Sequence, residues 1–265
     1  MLTGATWAGL LVLNLLATPL VPWSVAAMAV VLWAMWQYLG GRWRPAGTSA
    51  DRRRYRRANP VPPRLFAGAL LSGLLGLGAL IAGWIVMFQL VKMPGNSLPD
   101  FAKYPPLTVG LVLVMASVAT SVAEEVGFRG YFLTRLEREV SAPVAILVAA
   151  LVISPAHGMT QGFPWPTLLW YVVADVMFGT ISYLTRSILP GLAIFFSLVW
   201  PNDAHRRLVW AVGASPVFWC EVALGLVLAV LAVLAFRRLS GLRPARAPQQ
   251  APPTPSAHQP MLVPW

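Results

Sequence analysis

Apolar stretches of about 20 residues recur along this chain, and they constrain its fold more than any other feature of the sequence. A helix of that length crosses the hydrocarbon core of a bilayer, where every backbone polar group must be hydrogen-bonded within the segment. The pattern therefore predicts an all-α, polytopic membrane protein with about eight transmembrane helices. The expected spans are 3–20, 22–41, 65–91, 107–140, 143–160, 166–185, 187–201 and 208–236.

The composition agrees with this prediction. Hydrophobic residues make up 57% of the chain and charged residues only 11%, whereas soluble domains carry roughly 25% charged residues. These values argue against a soluble globular enzyme and against a disordered chain. The net charge of +11 comes from basic residues that border the apolar stretches. It therefore indicates membrane topology and not nucleic-acid binding.

The positions of the basic residues predict the orientation in the membrane. Counting alternate loops, sixteen of the twenty Lys and Arg residues fall on one side, and eight of these lie in segment 42–64. Loops rich in Lys and Arg face the cytoplasm, so we expect both termini there. The run Arg52–Arg57 is expected to lie against anionic membrane lipids. Eighteen of the twenty are arginines, which is typical of a GC-rich prokaryotic genome and favours a prokaryotic cytoplasmic membrane.

The same features divide the chain into three regions. Residues 1–64 are expected to form two N-terminal transmembrane helices and a basic cytoplasmic loop. Residues 65–238 are expected to form the transmembrane helical core, and residues 239–265 are expected to form a disordered, Pro-rich cytoplasmic tail.

Four of the nine acidic residues lie inside apolar sequence, namely Glu124, Glu125, Asp175 and Glu221. A carboxylate in lipid costs several kcal/mol, so such residues are candidates for function. Glu125 and Arg129 are four residues apart and can pair on one helix face. Glu124 points about a third of a turn away and can meet another helix. Glu221 has no assigned role.

His157 is the expected partner of Glu124. Glu124 lies 17 residues before the turn at Ser141, and His157 lies 16 residues after it. In an antiparallel hairpin both residues reach a depth of about 25 Å from that turn. A carboxylate beside an imidazole can activate water as a general base, alone or with a metal ion. Asp175 is expected at a similar depth, either as a further metal ligand or hydrogen-bonded to a neighbouring hydroxyl group.

The motif Glu124-Glu125-x-x-x-Arg129, followed by His157, resembles the CPBP family of intramembrane proteases, which includes CAAX prenyl endopeptidases and Abi proteins. The resemblance covers about residues 105–205 and includes the flanking Gly127, Phe128, Gly130 and Tyr131. It implies a membrane endopeptidase in which Glu124 activates water and His157 positions that water or binds a divalent metal such as zinc. Glu125, oriented by Arg129, would support the site, and the substrate would be a peptide or a membrane protein.

The chain departs from the family at its third motif. The family usually places a His and an Asn at positions that hold Phe195 and Val199 here. Neither Phe nor Val can bind a metal or stabilise an oxyanion. Two alternatives to an active protease therefore remain open: a pseudoprotease that binds membrane partners without cleaving them, and a small transporter or proton relay that uses Glu124, Glu125 and Asp175.

Overall fold

The long apolar stretches form helices in the computed structural model of this chain, which describes residues 21–91, 105–161, 165–195 and 216–242. These residues contain no strand, so the all-α prediction is confirmed. A π-helical segment, Glu125–Phe132, separates the fourth and fifth helices. The α-helices are α1 Val21–Leu39, α2 Ser49–Arg56, α3 Pro63–Leu90, α4 Pro106–Glu124, α5 Leu133–Leu136, α6 Ala142–Gln161, α7 Trp165–Thr185, α8 Leu189–Phe195 and α9 Pro216–Gly241.

Among the residues that the structure describes, three helical stretches are long and apolar enough to cross a membrane: Pro63–Met87, Trp165–Thr185 and Pro216–Gly241. The most apolar window of α9 is only 11% buried within the protein, and its exposed side chains include Leu226 and Val230. Such a surface requires lipid to cover it, and the chain is an integral membrane protein. The expected number of eight spans is not confirmed, and the predicted span 3–20 lies outside the described residues.

The predicted span 107–140 is not one continuous α-helix. It consists of α4, the π-helical segment and α5, which ends at Leu136. Gly127 and Gly130 within the π-helical segment have weak α-helical preference, and such segments are frequent at functional sites. Of the predicted span 187–201, the structure describes residues 187–195, which include α8.

Helix α7 lies between α6 on one side and α3 on the other. Gly179 of α7 admits close packing of Ile146 from α6, because a Cβ at Gly179 would lie 3.1 Å from that side chain. Ser154 Oγ donates a hydrogen bond to the carbonyl of Leu168 at 3.2 Å. Trp170 Nε1 donates to the carbonyl of Leu80 in α3 at 2.8 Å. These contacts fix α7 against both neighbours.

Three connecting segments meet at one end of the molecule. Glu137, which follows α5, accepts hydrogen bonds from Arg57 and from Arg186, each at 2.9 Å. The amide of Ile188 donates to the carbonyl of Arg57 at 3.0 Å. The loops after α2, α5 and α7 therefore lie on the same side, as the alternation of basic loops predicts.

Helix α2 packs directly on the π-helical segment. The backbones approach so closely that a Cβ at Gly130 would lie 2.7 Å from the carbonyl oxygen of Tyr55. The next residue, Tyr131, stacks on the Tyr55 ring with centroids 5.4 Å apart. Only glycine fits at position 130 without separating the two elements.

Candidate active site

Two adjacent carboxylates, one at the end of α4 and one at the start of the π-helical segment, lie close to the same guanidinium. Arg129 Nη1 lies 3.4 Å from Oε2 of Glu124 and 3.6 Å from Oε1 of Glu125. In a regular α-helix only a residue three or four positions away would share the face of Arg129. Hydrogen bonding from i to i+5 loosens that register and brings Glu124 within reach as well. The structure therefore differs from the expected arrangement, in which Arg129 paired with Glu125 alone.

Arg129 also contacts the opposite helix. Its Nη2 donates to Oδ1 of Asp175 in α7, and its guanidinium lies 5.4 Å from the centroid of the Phe178 ring. Arg129 and Asp175 are both buried. A single guanidinium thus bridges three carboxylates from three elements: α4, the π-helical segment and α7. Arg129 is therefore an interior group and not a surface charge.

His157 lies between Glu124 and Asp175. Its Nδ1 is 4.0 Å from Oε1 of Glu124, and its Nε2 is 3.5 Å from Oδ2 of Asp175. The imidazole stacks on the Tyr171 ring with centroids 4.0 Å apart and an interplanar angle of 8°. Tyr171 and Asp175 are four residues apart on one face of α7. Helix α7 therefore sets both the plane of the imidazole and the partner of one of its nitrogens.

Burial distinguishes the two adjacent glutamates. The side chain of Glu125 is fully buried, with 0% of its surface exposed, whereas 12% of Glu124 and 14% of His157 is exposed. Neither carboxylate oxygen of Glu125 accepts a hydrogen bond from a described residue. Glu124 and His157 are therefore partly accessible from outside the protein, while Glu125 lies behind them.

The backbone of α8 approaches the Glu125 carboxylate closely at Gly191. A Cβ at position 191 would lie 2.6 Å from Oε2 and 2.9 Å from Oε1 of Glu125. Ser187 begins the turn into this helix, where its hydroxyl accepts a hydrogen bond from the amide of Leu189 at 3.2 Å. The Glu125 carboxylate occupies the space that a side chain at position 191 would fill.

We expect Gly191→Ala to destabilise the protein by about 1–3 kcal/mol, because overpacking displaces a carboxylate that Arg129 already holds. The measurement is the midpoint of thermal unfolding in mild detergent. Gly83→Ala in α3 is the matched control, since a Cβ there meets nothing within 4 Å and alanine has the higher helix propensity. Equal midpoints for Gly191→Ala and the wild type would contradict this packing.

All five site residues chosen from the sequence lie in one cluster: Glu124, Glu125, Arg129, His157 and Asp175. One donor atom each from Glu124, His157 and Asp175 lies within 4.8 Å of the others. Glu124 thus lies beside the expected ligand pair of His157 and Asp175. Imidazole nitrogen and carboxylate oxygen are both ligand types that divalent metals accept in proteins.

The third motif, at Phe195 and Val199, lies at the edge of the described residues and beyond it. Phe195 is the last residue of α8, and its side chain, like the whole of Val199, lies outside the described residues. The sequence reasoning missed Tyr171 and Gly191. The spacing of four residues between Tyr171 and Asp175 could have indicated the first, whereas no sequence signal indicates that Gly191 lies beneath Glu125.

Glu221, the fourth carboxylate in apolar sequence, lies elsewhere. It accepts a hydrogen bond at 2.9 Å from Gln89 Nε2, near the end of α3. This pair links α3 to α9 and takes no part in the cluster.

Comparison with known proteins supplies an independent observation. Residues 106–200 match the family model described as type II CAAX prenyl endopeptidase Rce1-like. This region begins with α4 and includes every member of the cluster. Searches of curated proteins and of solved structures gave no match.

Proposed function

Residues 106–200 belong to the CPBP family of intramembrane proteases, and from this premise we propose that the protein hydrolyses a peptide bond at the membrane with a water activated by Glu124. The observation that carries the proposal is the position of Glu124. It is the partly exposed carboxylate of the cluster, and it lies beside His157 on one side and Arg129 on the other.

Each group has a defined part in the reaction. Arg129 holds Oε2 of Glu124, so that Oε1 faces His157 and the space where water can bind. Glu124 takes a proton from that water as the oxygen attacks the peptide carbonyl, and it returns the proton to the leaving amine. The products are a carboxylic acid and an amine. His157 positions the water, while Tyr171 and Asp175 keep the imidazole in place.

Electrostatics favours a divalent cation in this cluster. When ionised, its three carboxylates outnumber its one guanidinium, and uncompensated charge is costly in a low-dielectric interior. His157 and Asp175 would hold an ion such as zinc, which when bound supplies a water of lowered pKa. Glu124 stays unligated beside them and keeps the proton transfers assigned to it.

Metal binding gives a test that does not depend on cleavage. We expect the reconstituted full-length chain to retain about one zinc ion after dialysis against buffered zinc, as measured by elemental analysis. His157→Ala should weaken binding at least tenfold, since even the outer partners of metal ligands contribute that much. Glu221→Gln should bind like the wild type. A wild-type chain without stoichiometric zinc would overturn the metal assignment and leave the Glu124 proposal standing.

The activity itself is tested with a membrane-tethered substrate. The family description names CAAX prenyl endopeptidases, so the probe is a farnesylated peptide that ends in Cys, two aliphatic residues and a variable residue. We expect proteoliposomes of the wild-type chain to release the C-terminal tripeptide, detected by mass spectrometry. Intact probe after prolonged incubation with folded protein would contradict this substrate class.

The proposal includes the topology expected from the sequence. We propose eight spans with both termini in the cytoplasm of a prokaryote, and a substrate that enters laterally near the inner leaflet. The contacts among Arg57, Glu137 and Arg186 support a common side for their loops. Peptides or membrane proteins are the proposed partners, together with membrane lipids.

The departure at Phe195 and Val199 favours one alternative, a pseudoprotease. Such a protein would keep the cluster because its ion pairs hold α4, α6 and α7 together. It would then bind a membrane partner without cleaving it, and Glu124→Ala would leave binding unchanged. Cleavage by the wild type with loss in that variant excludes this alternative.

A further inference from the structure

The seven arginines of the segment between α1 and α3 differ in burial. Arg52 and Arg57 are buried and bond to the protein, and Arg56 is half-buried over the Trp36 ring. Four others are exposed. We name these four the arginine face: Arg42, Arg44, Arg53 and Arg54.

The buried arginines make this segment rigid. The guanidinium of Arg52 donates to the carbonyls of Tyr38, Trp43 and Pro45 at 2.9, 2.6 and 3.1 Å. It also lies 4.4 Å from the centroid of the Tyr38 ring. All these acceptors are uncharged, so Arg52 fixes the loop around itself without neutralising its own charge.

The arginine face lacks carboxylate partners among the residues that the structure describes. Arg42 donates to the Gln37 side chain at 2.8 Å, and Arg53 donates to Ser49 at 3.0 Å. Arg42 lies near Arg56 and, together with burial, lowers the pKa of that guanidinium. An anionic partner would relieve that repulsion.

Two tryptophans indicate the environment of this partner. Trp43 lies within the basic segment, is 44% exposed and contacts the exposed Trp33 of α1 edge to face, with centroids 5.6 Å apart. Tryptophan indoles concentrate at the boundary between lipid and water. Arg42 and Arg44, which flank Trp43 in the sequence, are therefore expected at headgroup level.

We propose that the arginine face is a binding surface for the headgroups of anionic phospholipids. Each arginine near a membrane surface is expected to increase affinity for anionic lipid about fivefold. Arg52 holds the loop that carries Arg42 and Arg44, so little further ordering of that loop is required when lipid binds.

The experiment places a fluorescent label beside this surface in the full-length chain. Cys220 is the single cysteine, so a Cys220→Ser background allows labelling at Gly47→Cys, where a side chain meets nothing within 4 Å. In vesicles of phosphatidylcholine and phosphatidylglycerol, brominated phosphatidylglycerol should quench the label more strongly than equally brominated phosphatidylcholine. High salt should weaken this preference.

Arg53→Gln/Arg54→Gln should reduce the preference about tenfold or more, and Arg42→Gln/Arg44→Gln should act in the same direction. Arg237→Gln/Arg238→Gln removes the same charge from exposed positions at the end of α9 and should leave quenching at position 47 unchanged. Equal quenching by both lipids with all arginines present would overturn the proposal. An equal loss in the α9 control would also overturn it, because it would show only a general effect of net charge.

Discussion

Glu124→Gln is expected to lower the rate of peptide cleavage about 10³-fold while the protein remains folded in the membrane. The amide keeps the size of the side chain but cannot accept a proton from water, and general bases contribute about 10²–10⁴-fold. The measurement is tripeptide release from the farnesylated probe in proteoliposomes.

Glu221→Gln is the matched control for this prediction. It makes the same chemical change in an apolar helix, at a carboxylate that bonds to Gln89 and lies outside the cluster. We expect it to cleave like the wild type. Equal rates for Glu124→Gln and the wild type would sink the assignment of Glu124 as the base.

Arg129→Met should destabilise the protein by about 3–5 kcal/mol, the largest stability effect that we expect from a single substitution. Removing one partner from a buried ion pair leaves the other charge uncompensated, and here three carboxylates lose their only shared cation. The midpoint of unfolding in mild detergent measures the loss. Arg135→Met is the control, since Arg135 pairs with Glu139 on an exposed surface, where ion pairs contribute little.

A second substitution tests the reason for this loss. Adding Asp175→Asn to Arg129→Met removes one of the stranded carboxylates, so the double variant should be less destabilised than the sum of the two single variants. Strict additivity would show that Arg129 contributes through packing alone.

The sequence predicted the helical class and the members of the cluster because those signals are local or depend on simple geometry. Hydropathy identifies apolar helices, and counting residues from the turn at Ser141 placed Glu124 and His157 at one depth. The contact of Glu124 with Arg129 was not predicted, because helical counting assumes one periodicity and does not detect a π-helical segment. Gly191 was missed because its contact with Glu125 joins distant parts of the chain.

Of all the features of the fold, the number of helical spans is the one that the sequence determines least. Apolar stretches such as 187–201 are shorter than a full crossing, and their limits depend on packing against neighbours and not on hydropathy. Within the described part of this stretch, Gly191 of α8 contacts the Glu125 carboxylate.

The π-helical segment has a consequence for the length of the chain. A hydrogen-bonded ring in this segment contains one residue more than the corresponding ring of an α-helix, so the segment is equivalent to an insertion. Deleting one residue from it would leave every apolar stretch recognisable. The deletion would, however, rotate Glu124 by about 100° relative to Arg129. The spacing of the residues in this segment is therefore as much a requirement of the site as their chemical identity.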